Sequence, residues 1–102
     1  MVRDTGDVTI KQLRARRTEI ERTAREFGAS NIRVFGSVAR GDAGPDSDVD
    51  LLVDMERGRG LLALAGLELA LERLLGSDVD VTTPGGLKPR VREAVLVEAR
   101  PL

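Results

Sequence analysis

The chain has no cysteine, histidine, tyrosine or tryptophan, and only two phenylalanines. Without cysteine, disulfides, thiolate metal sites and cysteine nucleophiles are all excluded. Without histidine, the usual general base near neutral pH and the usual zinc ligand are missing. Any metal must therefore be held by oxygen, which points to magnesium, with manganese as its chemical substitute. Two phenylalanines leave little aromatic surface on which a nucleobase could stack. No apolar run approaches the ~20 residues that span a bilayer. Residues 1–7 lack the apolar core of a signal peptide. The expectation is a cytoplasmic protein without membrane association.

What is present suits one small globular unit. The chain has 102 residues, of which 41% are apolar and 32% charged. One domain over residues 1–102 is expected, with residues 1–8 as a flexible N-terminus. The net charge of −1 hides an uneven distribution. Residues 1–40 carry 9 basic and 5 acidic side chains, residues 41–80 carry 3 and 10, and residues 81–102 carry 4 and 2. An acidic centre suits cation binding and argues against direct nucleic-acid binding, which needs a basic face. A solvated acidic surface is the plainer alternative.

The pattern predicts the order α-β-β-α-β-α. Residues 9–27 read as a helix opened by the capping-box spacing of Thr9 and Gln12. Residues 31–35 read as a short strand, broken by Gly36-Ser37, and residues 38–41 as one helical turn. Residues 42–47 form a loop. In residues 48–54 Val49, Leu51 and Val53 alternate against Asp48, Asp50, Leu52 and Asp54, the mark of a strand. Residues 60–75 read as a helix, 78–82 as a strand, 84–86 as a turn, and 88–99 as a final helix with Pro89 in its first turn. Helices covering a small mixed sheet, an α/β (α+β) fold, would result.

Gly36-Ser37, ten residues, then Asp48-Val49-Asp50 is the most informative spacing. Two acids two apart in a strand leave the same face, with Cβ atoms about 6–7 Å apart. Such a pair can converge on one or two cations. An exposed edge strand with anti-aggregation acids is the competing reading. A glycine after an apolar strand lets the backbone approach a ligand closely, and the following N–H groups attract phosphate. Ser37 adds a hydroxyl. An ordinary turn is the alternative, and the loop is no Walker A motif. Asp80, between Val79 and Val81, could reach Asp48 and Asp50, bind the same metal and take a proton from an attacking hydroxyl. A plain surface acid is the alternative, and Asp78 is second choice for the same task. Arg40 could touch a triphosphate or simply be a surface arginine, and Ser47 could fix the loop.

These residues resemble the nucleotidyltransferase superfamily that includes DNA polymerase beta, in its smallest branch, the minimal nucleotidyltransferases. The signature reads Val34-Phe35-Gly36-Ser37-Val38-Ala39-Arg40-Gly41, then Ser47-Asp48-Val49-Asp50-Leu51-Leu52-Val53, then Val79-Asp80-Val81. The resemblance covers about residues 10–100 and implies a polymerase-beta-like core. It implies an antitoxin that transfers AMP from ATP to a tyrosine of a HEPN toxin. Gly36 and Ser37 would hold the triphosphate, with Arg40 and Ser47 beside them. Asp48 and Asp50 would bind magnesium, and Asp80 would be third ligand and base.

Nothing in the chain reads as an acceptor-binding lobe, so the acceptor is expected to be a docking protein. The helix at 60–75 spreads leucines over more than one face, a surplus that fits a homodimer or hetero-oligomer surface. Two other functions stay open. One is an antitoxin that acts by binding alone, and the other is a nucleotidyltransferase for a small molecule or nucleic acid.

Overall fold

The computed structural model describes residues 8–102. Of the expected flexible N-terminus, residues 1–7 lie outside the described residues. Val8 packs against the core.

The capping box forms as predicted, with the Thr9 hydroxyl accepting from the Gln12 N–H and the Gln12 side chain accepting from the Thr9 N–H. The helix it starts is not continuous. It divides into α1 (Ile10–Ala15) and α2 (Arg17–Glu26) at Arg16, whose backbone leaves helical geometry at φ −110°, ψ 20°. The Arg16 guanidinium donates to Glu19 at 3.0 Å and to the Leu74 carbonyl at 2.7 Å, at the end of a distant helix. Arginine there also complements the partial negative charge of that helix end.

Among the described residues, four strands form one mixed sheet in the order β3-β2-β1-β4. β1 (Ala29–Phe35) runs antiparallel to β2 (Val49–Met55), and β2 runs parallel to β3 (Val79–Thr82). β1 begins two residues earlier than expected and holds a bulge between Ser30 and Arg33. Asn31 sits there at φ 52°, a conformation that asparagine tolerates better than most residues. The Asp54 carboxylate accepts from both Asn31 and Arg33 and fixes the bulge.

β4 (Arg100–Pro101) is a fourth strand that the pattern did not predict; it pairs antiparallel with β1. Two more short elements fill the connections. α3 (Gly36–Arg40) begins on the glycine turn, and a 3-10 turn (Pro84–Gly86) precedes α5 (Pro89–Glu98).

Val49, Leu51 and Val53 face the main core with Val34, Val79 and Val81, under Leu13, Ile20, Leu67 and Leu71. The helices over them are α1, α2 and α4 (Leu61–Leu75). α2 and α4 approach closely because residue 66 is glycine; a Cβ there would lie 2.7 Å from the Phe27 ring. Leu52 departs from the expected polar face of β2 and is fully buried. The 3-10 turn packs against β2, so the second sheet face is partly covered. The predicted leucine surplus on α4 is real: Leu61, Leu62 and Leu69 are exposed. Among the described residues, no helix is long and apolar enough to cross a membrane.

Candidate active site

The sheet register sets the acids. Asp50 on β2 and Asp80 on β3 are direct partners across the parallel pair. Neighbouring strands lie about 4.8 Å apart, and paired residues project to the same face. This face is opposite the one that buries Val49 and Leu51. Asp48 precedes β2 by one residue and is exposed, so it stands at the mouth of the site. Asp50 is half-buried.

The glycine turn closes over Asp50. Phe35, the last residue of β1, pairs with Asp50, which places Gly36 against the carboxylate. Gly36 has φ 73°, and a Cβ built there would overlap the Asp50 carboxylate. Glycine is thus required twice at this position, by the backbone and by the neighbour. Ser37 follows, half-buried, at the start of α3.

Electrostatics mark the cluster. The Asp50 carboxyl is pushed up to about 6, first by burial and then by the charges of Asp80 and Asp48. Arg40 is the cation that offsets part of this. Among the described residues, no three acids have their oxygens gathered into a ready-made ion cage. Like charges at this spacing repel, so shared register does not by itself draw the carboxylates together.

The donor set nonetheless fits a hard divalent cation. It is all oxygen, it carries surplus negative charge, and burial already penalises Asp50 as a bare anion. Magnesium or manganese should therefore raise the melting temperature by mass action. The rise should be clearly larger at about pH 8 than at about pH 5, where a proton on Asp50 competes with the ion. Thermal denaturation with and without the ion checks this; an equal shift at both pH values would remove Asp50 from the ligand set.

The remaining sequence-predicted residues take different places. The Ser47 hydroxyl accepts from the Gly44 N–H at 2.8 Å, so it shapes the loop before Asp48. Asp78 lies outside β3, and its carbonyl accepts from the Val49 N–H. Arg40 is at the site but already engaged, with Asp42 at 3.2 Å and Glu98 at 2.9 Å.

Glu98 is the residue that sequence reasoning missed. One of its oxygens accepts from the Gly36 N–H at 2.7 Å, and the other pairs with Arg40. The Arg40 guanidinium and the Gly36 N–H hold its carboxyl below the usual range, against the opposing effect of burial. The only sequence signal was its place at the end of the last helix, which names no partner.

Residues 17–102 match the nucleotidyltransferase domain family. The chain is 42% identical over 92 residues to the protein adenylyltransferase MntA of Thermococcus cleftensis, covering 89% of this chain and 93% of that protein. A solved minimal nucleotidyltransferase is 55% identical and aligns with a TM-score of 0.82, over 93% of this chain and 97% of that one. A more distant likeness is to a chain of the complex between a tri-AMPylated Shewanella oneidensis HEPN toxin and an MNT antitoxin. There the identity is 20%, the TM-score 0.66, and the coverage 86% of this chain and 69% of that one.

Proposed function

The chain belongs to the nucleotidyltransferase domain family and is an enzyme of that class, and from this premise we propose a specific reaction. It transfers AMP from ATP to a tyrosine hydroxyl of a HEPN-type toxin, in a magnesium-dependent step, and so acts as an antitoxin. We take residues 1–102 as one such domain, working in the cytoplasm where ATP and magnesium are plentiful.

The observation that carries this reading is the register of Asp50 with Asp80 beneath the Gly36 turn. Asp48, Asp50 and Asp80 are the residues that would hold magnesium. When bound, the ion supplies positive charge for the triphosphate and for the departing pyrophosphate. Ser37 and Arg40 orient the phosphates, and Ser47 keeps the loop before Asp48 in shape. Asp80 accepts the proton of the acceptor hydroxyl as its oxygen bonds to the α-phosphorus. The bond from that phosphorus to the pyrophosphate oxygen breaks in the same transfer. Most of the rate comes from positioning and charge stabilisation, which suits a chain without histidine or cysteine.

The acceptor is taken to be a docking protein, because among the described residues the elements are a single sheet with the helices that cover it. The exposed Leu61 and Leu62 at the start of α4 offer an apolar surface for that partner. Names and folds support the assignment: the Thermococcus relative is a protein adenylyltransferase, and a chain from a complex of MNT antitoxin with tri-AMPylated HEPN toxin shares this fold.

Incubation of the protein with ATP, magnesium and its HEPN-type partner should raise the partner's mass by one or more AMP units. Asp48→Asn should abolish that gain and with it the neutralisation of the toxin. Neutralisation without any mass gain would replace this reading with an antitoxin that acts by occupancy alone.

A further inference from the structure

Glu98 holds Arg40, which the proposed reaction turns to the phosphates, and the N–H of Gly36, which opens the phosphate-gripping turn. Its carboxylate accepts from the Gly36 N–H at 2.7 Å and from Arg40 at 2.9 Å. Charge-assisted contacts of this length are the strong kind, and they are the contacts a phosphate oxygen would make. We propose that Glu98 is a built-in stand-in for a phosphate, a specificity-determining residue that the nucleotide must displace to enter. The proposal rests on the nucleotide-binding reading above.

The fold delivers Glu98 to this place by register. β4 pairs with β1 at Arg33↔Pro101 and Val34↔Arg100. Continued by two residues, the same antiparallel register sets Gly36 opposite Glu98. The strand ladder stops, and the Glu98 side chain supplies the next acceptor. Helix α5 ends on Glu98, and the buried Leu102 donates its N–H to the Ile32 carbonyl at 3.2 Å. Glu98 is therefore tethered from both sides. A tethered carboxylate competes at a high effective concentration, which a free anion in solution must exceed.

Charge adds to the effect. Asp50 feels Glu98 as well as Asp80 and Asp48. With Glu98 in place, Arg40 is answered by two acids, Glu98 and Asp42. An incoming phosphate then meets a neutralised arginine and a field of carboxylates. A triphosphate that arrives with magnesium has a second anchor on the aspartates and can expel Glu98. A single phosphate has no such anchor. The device thus favours the metal-loaded triphosphate over AMP.

Binding to the full chain tests this by calorimetry, with magnesium-ATP, magnesium-pyrophosphate and AMP as probes. Glu98→Gln keeps the shape and removes the charge; Glu98→Ala removes the stand-in altogether. Both should tighten magnesium-ATP and magnesium-pyrophosphate by about tenfold, and AMP by more, narrowing the preference for the triphosphate. In the wild-type protein, magnesium-pyrophosphate should shift the Gly36 amide proton resonance towards its position in ligand-bound Glu98→Ala. Unchanged or weaker binding in both variants, with melting curves that show them folded, overturns the proposal and leaves the enzyme reading intact. That result would make Glu98 a support for Arg40. If neither the wild-type protein nor either variant binds ATP, the nucleotide site falls, and the stand-in falls with it.

Discussion

Replacing Asp50 with asparagine should extinguish AMP transfer and, in the same molecule, stabilise the metal-free fold. The two effects have one cause. The Asp50 carboxyl is raised from 3.8 to about 6 by burial and by the facing charges of Asp80 and Asp48. A raised carboxyl means that the fold prefers the protonated form. Stability of the metal-free protein is therefore full below the ordinary value near 4. It declines as pH rises towards about 6 and stays lower above. Asparagine cannot ionise, so the decline disappears. Solvent screening at a half-buried group reduces the gain to about 1 kcal/mol, or ~4–8 °C in a domain of this size. Transfer should fall about a thousandfold, the loss of roughly 4 kcal/mol of charge stabilisation when a metal ligand goes. Melting curves across pH and the mass assay read the two halves. A variant that transfers normally and melts as the wild-type protein does would show that Asp50 is no more than a surface acid.

The same residue shows why the geometry of the candidate site was largely legible in the sequence. Acids two apart among alternating apolar residues have one geometric meaning in a strand, and an Asp between two valines has another. Parallel pairing then needs only the apolar residues to share a core, and Asp50 and Asp80 fall into register. The leucine surplus of α4 was legible for a similar reason, since a helix has only one face to bury. What escaped was set by contacts distant in sequence. Nothing within residues 9–27 marks a break at Arg16, whose side chain finds the Leu74 carbonyl 58 residues on. β4 has two residues, one of them proline, and no period can be read from two residues. Leu52 lies among the acids of its strand, yet a second layer buries it. Glu98 looked like the polar end of a helix, and only the β1–β4 register brings it to Gly36.

Gly36→Ala should be the most damaging change that leaves every charged group in place. An L-residue at φ 73° costs about 1–2 kcal/mol in the backbone. The added methyl would also meet Asp50, 3.1 Å from its Cγ and closer still to one carboxylate oxygen. The turn must then rise or Asp50 must swing away, and either movement parts the phosphate-gripping turn from the acids. A displacement of about 1 Å in a site that works by positioning costs about a hundredfold in rate. Gly58→Ala is the control, because its φ of 91° carries the same backbone penalty with nothing within 4 Å of the new methyl. Both variants should melt lower than the wild-type protein, by amounts of the same order. Only Gly36→Ala should lose transfer. Equal loss of transfer in both would assign the effect to weakened folding. Full transfer by Gly36→Ala would show that the turn and the acids of β2 work independently, and the site built on their contact would have to be abandoned.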